Sequence, residues 1–186
     1  MKNLLIILLL ICFLPCEAVE IESIKINTKI NFEIKVMIIQ DSIFPEKCLG
    51  IWEGIMYIYS QGMKRDSVKV RFTAAKTDTS GTYIWKTEYL SKTTPMVKDY
   101  KLVVDNIKEG RYILDEGEGI KLVEYAVNNK MHSLFKVDDI YLTSSTELVN
   151  KQLIIEVTSG KELKEIQGVK SYSFANVQRM VLTRID

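Results

Sequence analysis

Cysteine, histidine and proline are scarce in this chain of 186 residues, and each scarcity removes a class of explanation. Of the three cysteines, Cys12 and Cys16 fall in an apolar N-terminal run, which leaves Cys48 alone in the remainder and excludes an internal disulfide there. Stability must then come from a packed core, in which Cys48 beside Leu49 reads as a small buried hydrophobe. His132 is the only histidine, so a multi-histidine zinc site is excluded, and a cysteine–histidine dyad could pair only Cys48 with the distant His132. Lying between Met131 and Ser133, opposite in parity to Phe135, His132 reads as a surface strand residue. No Gly-x-Ser-x-Gly elbow, phosphate loop or dinucleotide fingerprint occurs.

Charge of one sign is also missing. Lys and Arg number 25 and Asp and Glu 24, interspersed, so the net charge of +1 gives no electrostatic footprint for nucleic acid or an anionic membrane. A local basic group, Lys64, Arg65, Lys69 and Arg71, has no interleaved aromatics to stack bases and reads as a solvated face. Asp115, Glu116 and Glu118 could in principle hold a hard cation or do acid–base work. Gly117 and Gly119 instead mark this stretch as a tight hairpin connection, where acids are commonplace and solvated. No catalytic residue, metal or cofactor is expected, and the chain reads as not an enzyme.

What is present begins with an export signal. Lys2 supplies a basic start, residues 4–14 an apolar stretch too short to span a bilayer, and Pro15 a break. Cys16-Glu17-Ala18 then offers small residues where a signal peptidase reads, so cleavage is expected after Ala18, with a periplasmic or extracellular destination. Lipid attachment at Cys16 is the competing reading, to which Pro15 is a poor fit. The expected organisation is a signal peptide at 1–18, an N-terminal β arm and connector at 19–47, and one barrel domain at 48–186, with no integral membrane span.

Residues 24–38 alternate with a period of two: Ile24, Ile26, Ile30, Phe32, Ile34, Val36 and Ile38 share one parity, and Lys25, Asn27, Lys29, Asn31, Glu33 and Lys35 the other. Such a strand must be covered, and a homodimer through residues 19–40 is one way to do it. Residues 41–46, with Pro45, form a connector. A meander of short strands separated by turn residues follows, including Gln61-Gly62, Asp78-Thr79-Ser80-Gly81 and Asn128-Asn129-Lys130. Residues 160–168 are the one stretch that fits a short helix or a long loop. The economical fold is all-β: an antiparallel up-and-down barrel of about 8–10 strands, whose closure removes sheet edges.

Gly50-Ile51-Trp52 opens this run, and a large indole two residues after a glycine can close the bottom of a small barrel. With Trp52 inward, parity also turns Gly54, Met56, Ile58, Val68, Val70, Phe72, Tyr83, Trp85, Thr87, Tyr89, Tyr100, Leu102, Tyr112, Leu114, Ser133 and Phe135 inward, and Lys69, Arg71, Lys86 and Glu88 outward. Tyrosine suits an amphipathic guest because its ring is apolar and its tip is a hydroxyl. Trp52, Phe72, Tyr83, Trp85, Tyr100 and Tyr112 are the candidate lining of a site for a small hydrophobic or amphipathic molecule. The alternative is a barrel filled by its own side chains, a non-enzymatic interaction or structural module that meets a partner through the N-terminal arm.

Gly50-Ile51-Trp52 at the head of a meander resembles the lipocalin signature within the calycin group. The longer pattern looks like lipocalin-like proteins exported by Bacteroidetes. It comprises Leu49-Gly50-Ile51-Trp52-Glu53-Gly54, then Tyr112-Ile113-Leu114-Asp115-Glu116-Gly117, and a closing Val177-Gln178-Arg179. The likeness spans about residues 45–184, while the second and third lipocalin motifs and the paired cysteines of many secreted lipocalins are missing. The resemblance implies a barrel that binds small hydrophobic molecules. It also implies a late basic side chain packed across the tryptophan at the barrel base, a part open to Arg179 or Arg184 beside Gly50 and Trp52.

Overall fold

Alternation of inward and outward side chains carries the chain up and down one continuous wall. The computed structural model describes residues 43–186, in which the strands are β1 (Gly50–Ser60), β2 (Met63–Lys76), β3 (Thr82–Tyr89), β4 (Met96–Asn106), β5 (Arg111–Gly117), β6 (Ile120–Val127), β7 (Lys130–Val137), β8 (Ile140–Val149), β9 (Gln152–Lys161) and β10 (Asn176–Arg184). Each strand pairs antiparallel with its chain neighbours, and β10 returns to β1, which closes the barrel. Only short helical turns interrupt it: α1 (Phe44–Lys47), with Pro45 in its first turn, and a 3-10 turn at Ile107–Glu109 capped by the Asn106 side chain. The expected signal peptide and the alternating stretch 24–38 lie outside the described residues, as does nearly all of the expected arm. Of the expected connector, residues 43–47 are seen, mostly as α1.

Register fixes which end is shut. Trp52 is buried opposite Arg184 on β10 and Phe72 on β2, and its indole N–H donates to the Cys48 carbonyl at 2.8 Å. Phe44 and Cys48, brought under the barrel by α1, complete this floor with Leu102, Tyr112, Leu153 and Leu182, all almost wholly buried. Gly54 is needed two residues on: a Cβ there would lie 2.0 Å from the Val181 carbonyl oxygen, so any side chain would push β1 and β10 apart. Outside the wall, Glu53 accepts from Lys69 and Arg71, an ordinary solvated cross-strand group.

Two stretches depart from the sequence expectation. Gly160 lies within β9, and residues 162–175 form a loop tied by the isolated bridges Glu162 with Tyr172 and Ile166 with Val169; the last strand starts at Asn176. The wall is also uneven. β6 and β7 pair only where Tyr125, Ala126 and Val127 meet His132, Met131 and Lys130, and beyond that the two strands separate. There the Ser133 hydroxyl donates to the Val123 carbonyl at 2.6 Å, so a side chain takes over where the ladder stops.

Candidate functional site

Beside the floor the inward side chains do not fill the interior, and they leave a cavity of about 260 Å³. Phe72, Trp85, Leu114, Leu122, Met131, Phe135, Leu142, Ile155, Val157 and Met180 give it apolar walls. Phe72 and Trp85 meet edge to face, with centroids 4.9 Å apart. Polar groups occupy the remaining inward positions: Thr87, Tyr89, Lys98 and Tyr100 from β3 and β4, Glu116 and Glu124 from β5 and β6, and Ser144 and Thr146 from β8. A wider depression of about 610 Å³ at the open end, edged by the 90–94 loop, shares Tyr89 and Lys98 with the cavity and forms its mouth. The mouth is larger but broad and edged by lysine, serine and threonine, so the apolar-walled lumen is the candidate site.

Two carboxylates set its chemistry. Glu124 is 3% exposed and accepts from the Ser144 hydroxyl at 3.2 Å. Burial pushes its carboxyl up to about 7, the Ser144 hydrogen bond opposes this, and the negative charge of Glu116 adds to it. Glu116 also lies against the Tyr100 hydroxyl. Tyr100 and Tyr89 are both raised above the ordinary tyrosine range, first by burial and then by the Glu116 charge. Lys98 sits where lumen and mouth join, its Nζ 5.7 Å from the Tyr100 ring centroid. The lumen is thus an apolar chamber with hydrogen-bonding and titratable groups along one side.

The six aromatics singled out from parity divide into two groups. Phe72, Trp85 and Tyr100 line the cavity, whereas Trp52, Tyr83 and Tyr112 belong to the packed floor beneath it. The Tyr83 hydroxyl leaves the floor altogether and donates to Glu46 at 3.2 Å, on a carboxylate that also holds Lys76. Burial and that carboxylate push Tyr83 up to about 12. Of the two arginines proposed for the base, Arg184 is there: it is in register with Trp52, and its guanidinium lies beside Gly50, held by Asp186 at 2.8 Å. Arg179 stands on the outer wall, paired with Glu156 at 2.7 Å, so its assignment to the base is corrected.

His132 borders an outer groove with Val123, Tyr125 and Leu134 and has no cysteine near it. Cys48 is fully buried, and desolvation pushes its thiol up to about 12, which leaves it unreactive. Among the described residues no group of three or more histidine, cysteine or acidic side chains could hold a metal. Glu116 reads from the sequence as part of a solvated turn, and Glu124, Lys98 and Ser144 are not singled out by it. Asp115 does serve the turn, accepting from the Gly117 N–H at 2.9 Å, but Glu116 belongs to β5 and faces inward. Counting by twos from Tyr112 through Leu114 to Glu116 is the signal that would have found it.

No family model matches the sequence, and no curated protein matches it. Solved structures do. The S-type phycobiliprotein lyase CPES from Guillardia theta is 9% identical over 77% of this chain and 91% of that one, with a TM-score of 0.57. Rv2717c from M. tuberculosis is 12% identical over 74% and 92%, with a TM-score of 0.37, too loose to argue from. The chain has a lipocalin-like, calycin barrel fold. This likeness corrects one expectation. The missing catalytic motifs predict a protein that is not an enzyme, yet a protein with this architecture is a lyase, so missing motifs do not set catalysis aside. No helix of the described residues is long and apolar enough to cross a membrane.

Proposed function

We propose that this protein is exported and binds a small amphipathic molecule inside its barrel. The observation that carries the reading is the lumen of about 260 Å³, where ten apolar side chains border a space with Glu124, Tyr100 and Ser144 on its wall. A barrel serving only as a scaffold has no use for a hollow of this kind, because filling it with larger inward side chains would add dispersion contacts and stability. The phycobiliprotein lyase likeness supports a barrel that works on a small molecule. Export rests on Lys2, the apolar residues 4–14 and Ala18.

Trp85 lines the lumen and Trp52 lies in the floor, so the two indoles report separately. Titrating the full chain and a Trp52→Phe variant with fatty acids, retinoids and haem should change Trp85 fluorescence saturably with at least one class. Unchanged emission with all of them, with a filled lumen in a crystal structure, overturns the reading. N-terminal sequencing of exported protein should begin at Val19, and an intact Met1 overturns the export reading.

A further inference from the structure

The lumen holds one more carboxylate than ammonium, and the carboxylates are unequally placed. Glu116 stands in reach of the Tyr100 hydroxyl and shares its end of the lumen with Lys98, where the cavity opens to the mouth. Glu124 lies deeper, in register with Tyr112 of the floor, and its one ionisable or hydroxyl partner on the wall is Ser144 of β8. The charged and titratable groups that face it are Glu116 and Tyr112 from β5, with Lys98, Tyr100 and Tyr89 further toward the mouth; β7 presents only Met131, Ser133 and Phe135 inward. A carboxyl kept in such a place is costly when ionised, since its charge loses water and gains a single neutral hydroxyl. Leucine or methionine at that position would simply extend the apolar wall.

We propose that the lumen selects an organic amine, an apolar molecule whose protonated nitrogen sits against the Glu124 carboxyl while its hydrocarbon part packs among Phe72, Trp85 and Met180. The assignment rests on the lumen being a binding site and adds the class of ligand. Binding would supply the charge-assisted hydrogen bond that the apo wall lacks. It would also ionise Glu124, so affinity should rise as the pH passes through about 7, with one proton released to solvent per ligand bound below that point. An amine keeps its own charge throughout this range, being near the lysine value.

The test uses three molecules of nearly one shape: 2-phenylethylamine, 2-phenylethanol and 3-phenylpropanoate, titrated into the full chain and followed by calorimetry and Trp85 fluorescence at pH 5.5 and 8. The amine should bind on the order of tenfold more tightly than the alcohol at pH 8 and lose on the order of tenfold in affinity at pH 5.5, with the alcohol insensitive to pH. Glu124→Gln should collapse both the amine-to-alcohol ratio and the pH dependence; because the pH profile of the unmodified protein is itself diagnostic, the proposal stays open to failure even where that variant does not fold. Alcohol or acid binding as tightly as amine at pH 8, or an amine affinity flat in pH, overturns the amine assignment and leaves the lumen as a binding site. Failure of all three to bind overturns the amine assignment along with its premise.

Discussion

The floor and the lumen of this barrel are built by the same alternation and do opposite things with it. At the floor, inward positions carry Trp52, Leu102, Tyr112, Leu153 and Leu182, each 3% exposed or less, and the one indole N–H is satisfied by the Cys48 carbonyl. Around the hollow, β4, β5, β6 and β8 offer Tyr100, Glu116, Glu124 and Ser144. Pairing follows the same division. β1 is laddered on both sides along almost all of its length, while β6 and β7 part after three paired positions. Close packing marks the shut end, and the hollow keeps groups that a core would reject.

Truncation should expose this contrast most strongly. Trp52→Ala removes the largest floor side chain and strands the Cys48 carbonyl, and it should cost about 3–5 kcal/mol in denaturant unfolding. Phe135→Ala, a lumen residue of similar chemistry, only enlarges a space that already exists and should cost less than half as much. Equal losses would mean that the upper half is as tightly packed as the floor.

Next in size is the effect of pH. The folded protein holds a proton on Glu124 up to about 7, whereas the unfolded chain releases it near the ordinary glutamate value of 4.5. Between those values the native state binds more protons at this site than the unfolded state, so the contribution of Glu124 to stability is greatest below about 4.5, falls as the pH rises toward about 7, and is level above. The whole change is on the order of 3 kcal/mol. Glu124→Gln should flatten this segment of the stability profile, so that the variant gains on the parent protein as the pH rises. Parallel profiles for the two would show that Glu124 is not the group that titrates.

Much of this division was legible in the sequence, and the part that was not has a geometric cause. Alternation tells which side of a strand a residue faces, so Trp52, Phe72, Tyr83, Trp85, Tyr100 and Tyr112 could all be turned inward without coordinates. Which inward residues border the hollow depends on how the neighbouring strands' side chains meet, which alternation does not carry. Trp52, Tyr83 and Tyr112 therefore looked equivalent to Phe72, Trp85 and Tyr100, although the first three are floor and the others wall. Strand number matters in the same way: an interior of eight strands is filled by side chains or holds one small ligand, and ten strands make it wider. Glu116 was hidden by its neighbours, since Asp115, Gly117 and Gly119 spell a turn while β5 in fact runs through Gly117 with a register shift against β6.

The smallest effect tests whether the floor is sealed by packing or by its polar tether to α1. Tyr83 reaches from β3 to Glu46, and Glu46 in turn holds Lys76 at 2.9 Å, so one carboxylate joins the helix to two strands. The Tyr83 hydroxyl is a neutral donor at the edge of the floor, and the ring that carries it is buried. Tyr83→Phe keeps the ring and removes only the hydrogen bond, which should cost about 1 kcal/mol or less. It should leave ligand binding in the lumen unaltered, because Tyr83 is not part of the cavity wall. A loss comparable to Trp52→Ala would place the seal in the tether, and α1 would then be the element that holds the barrel shut.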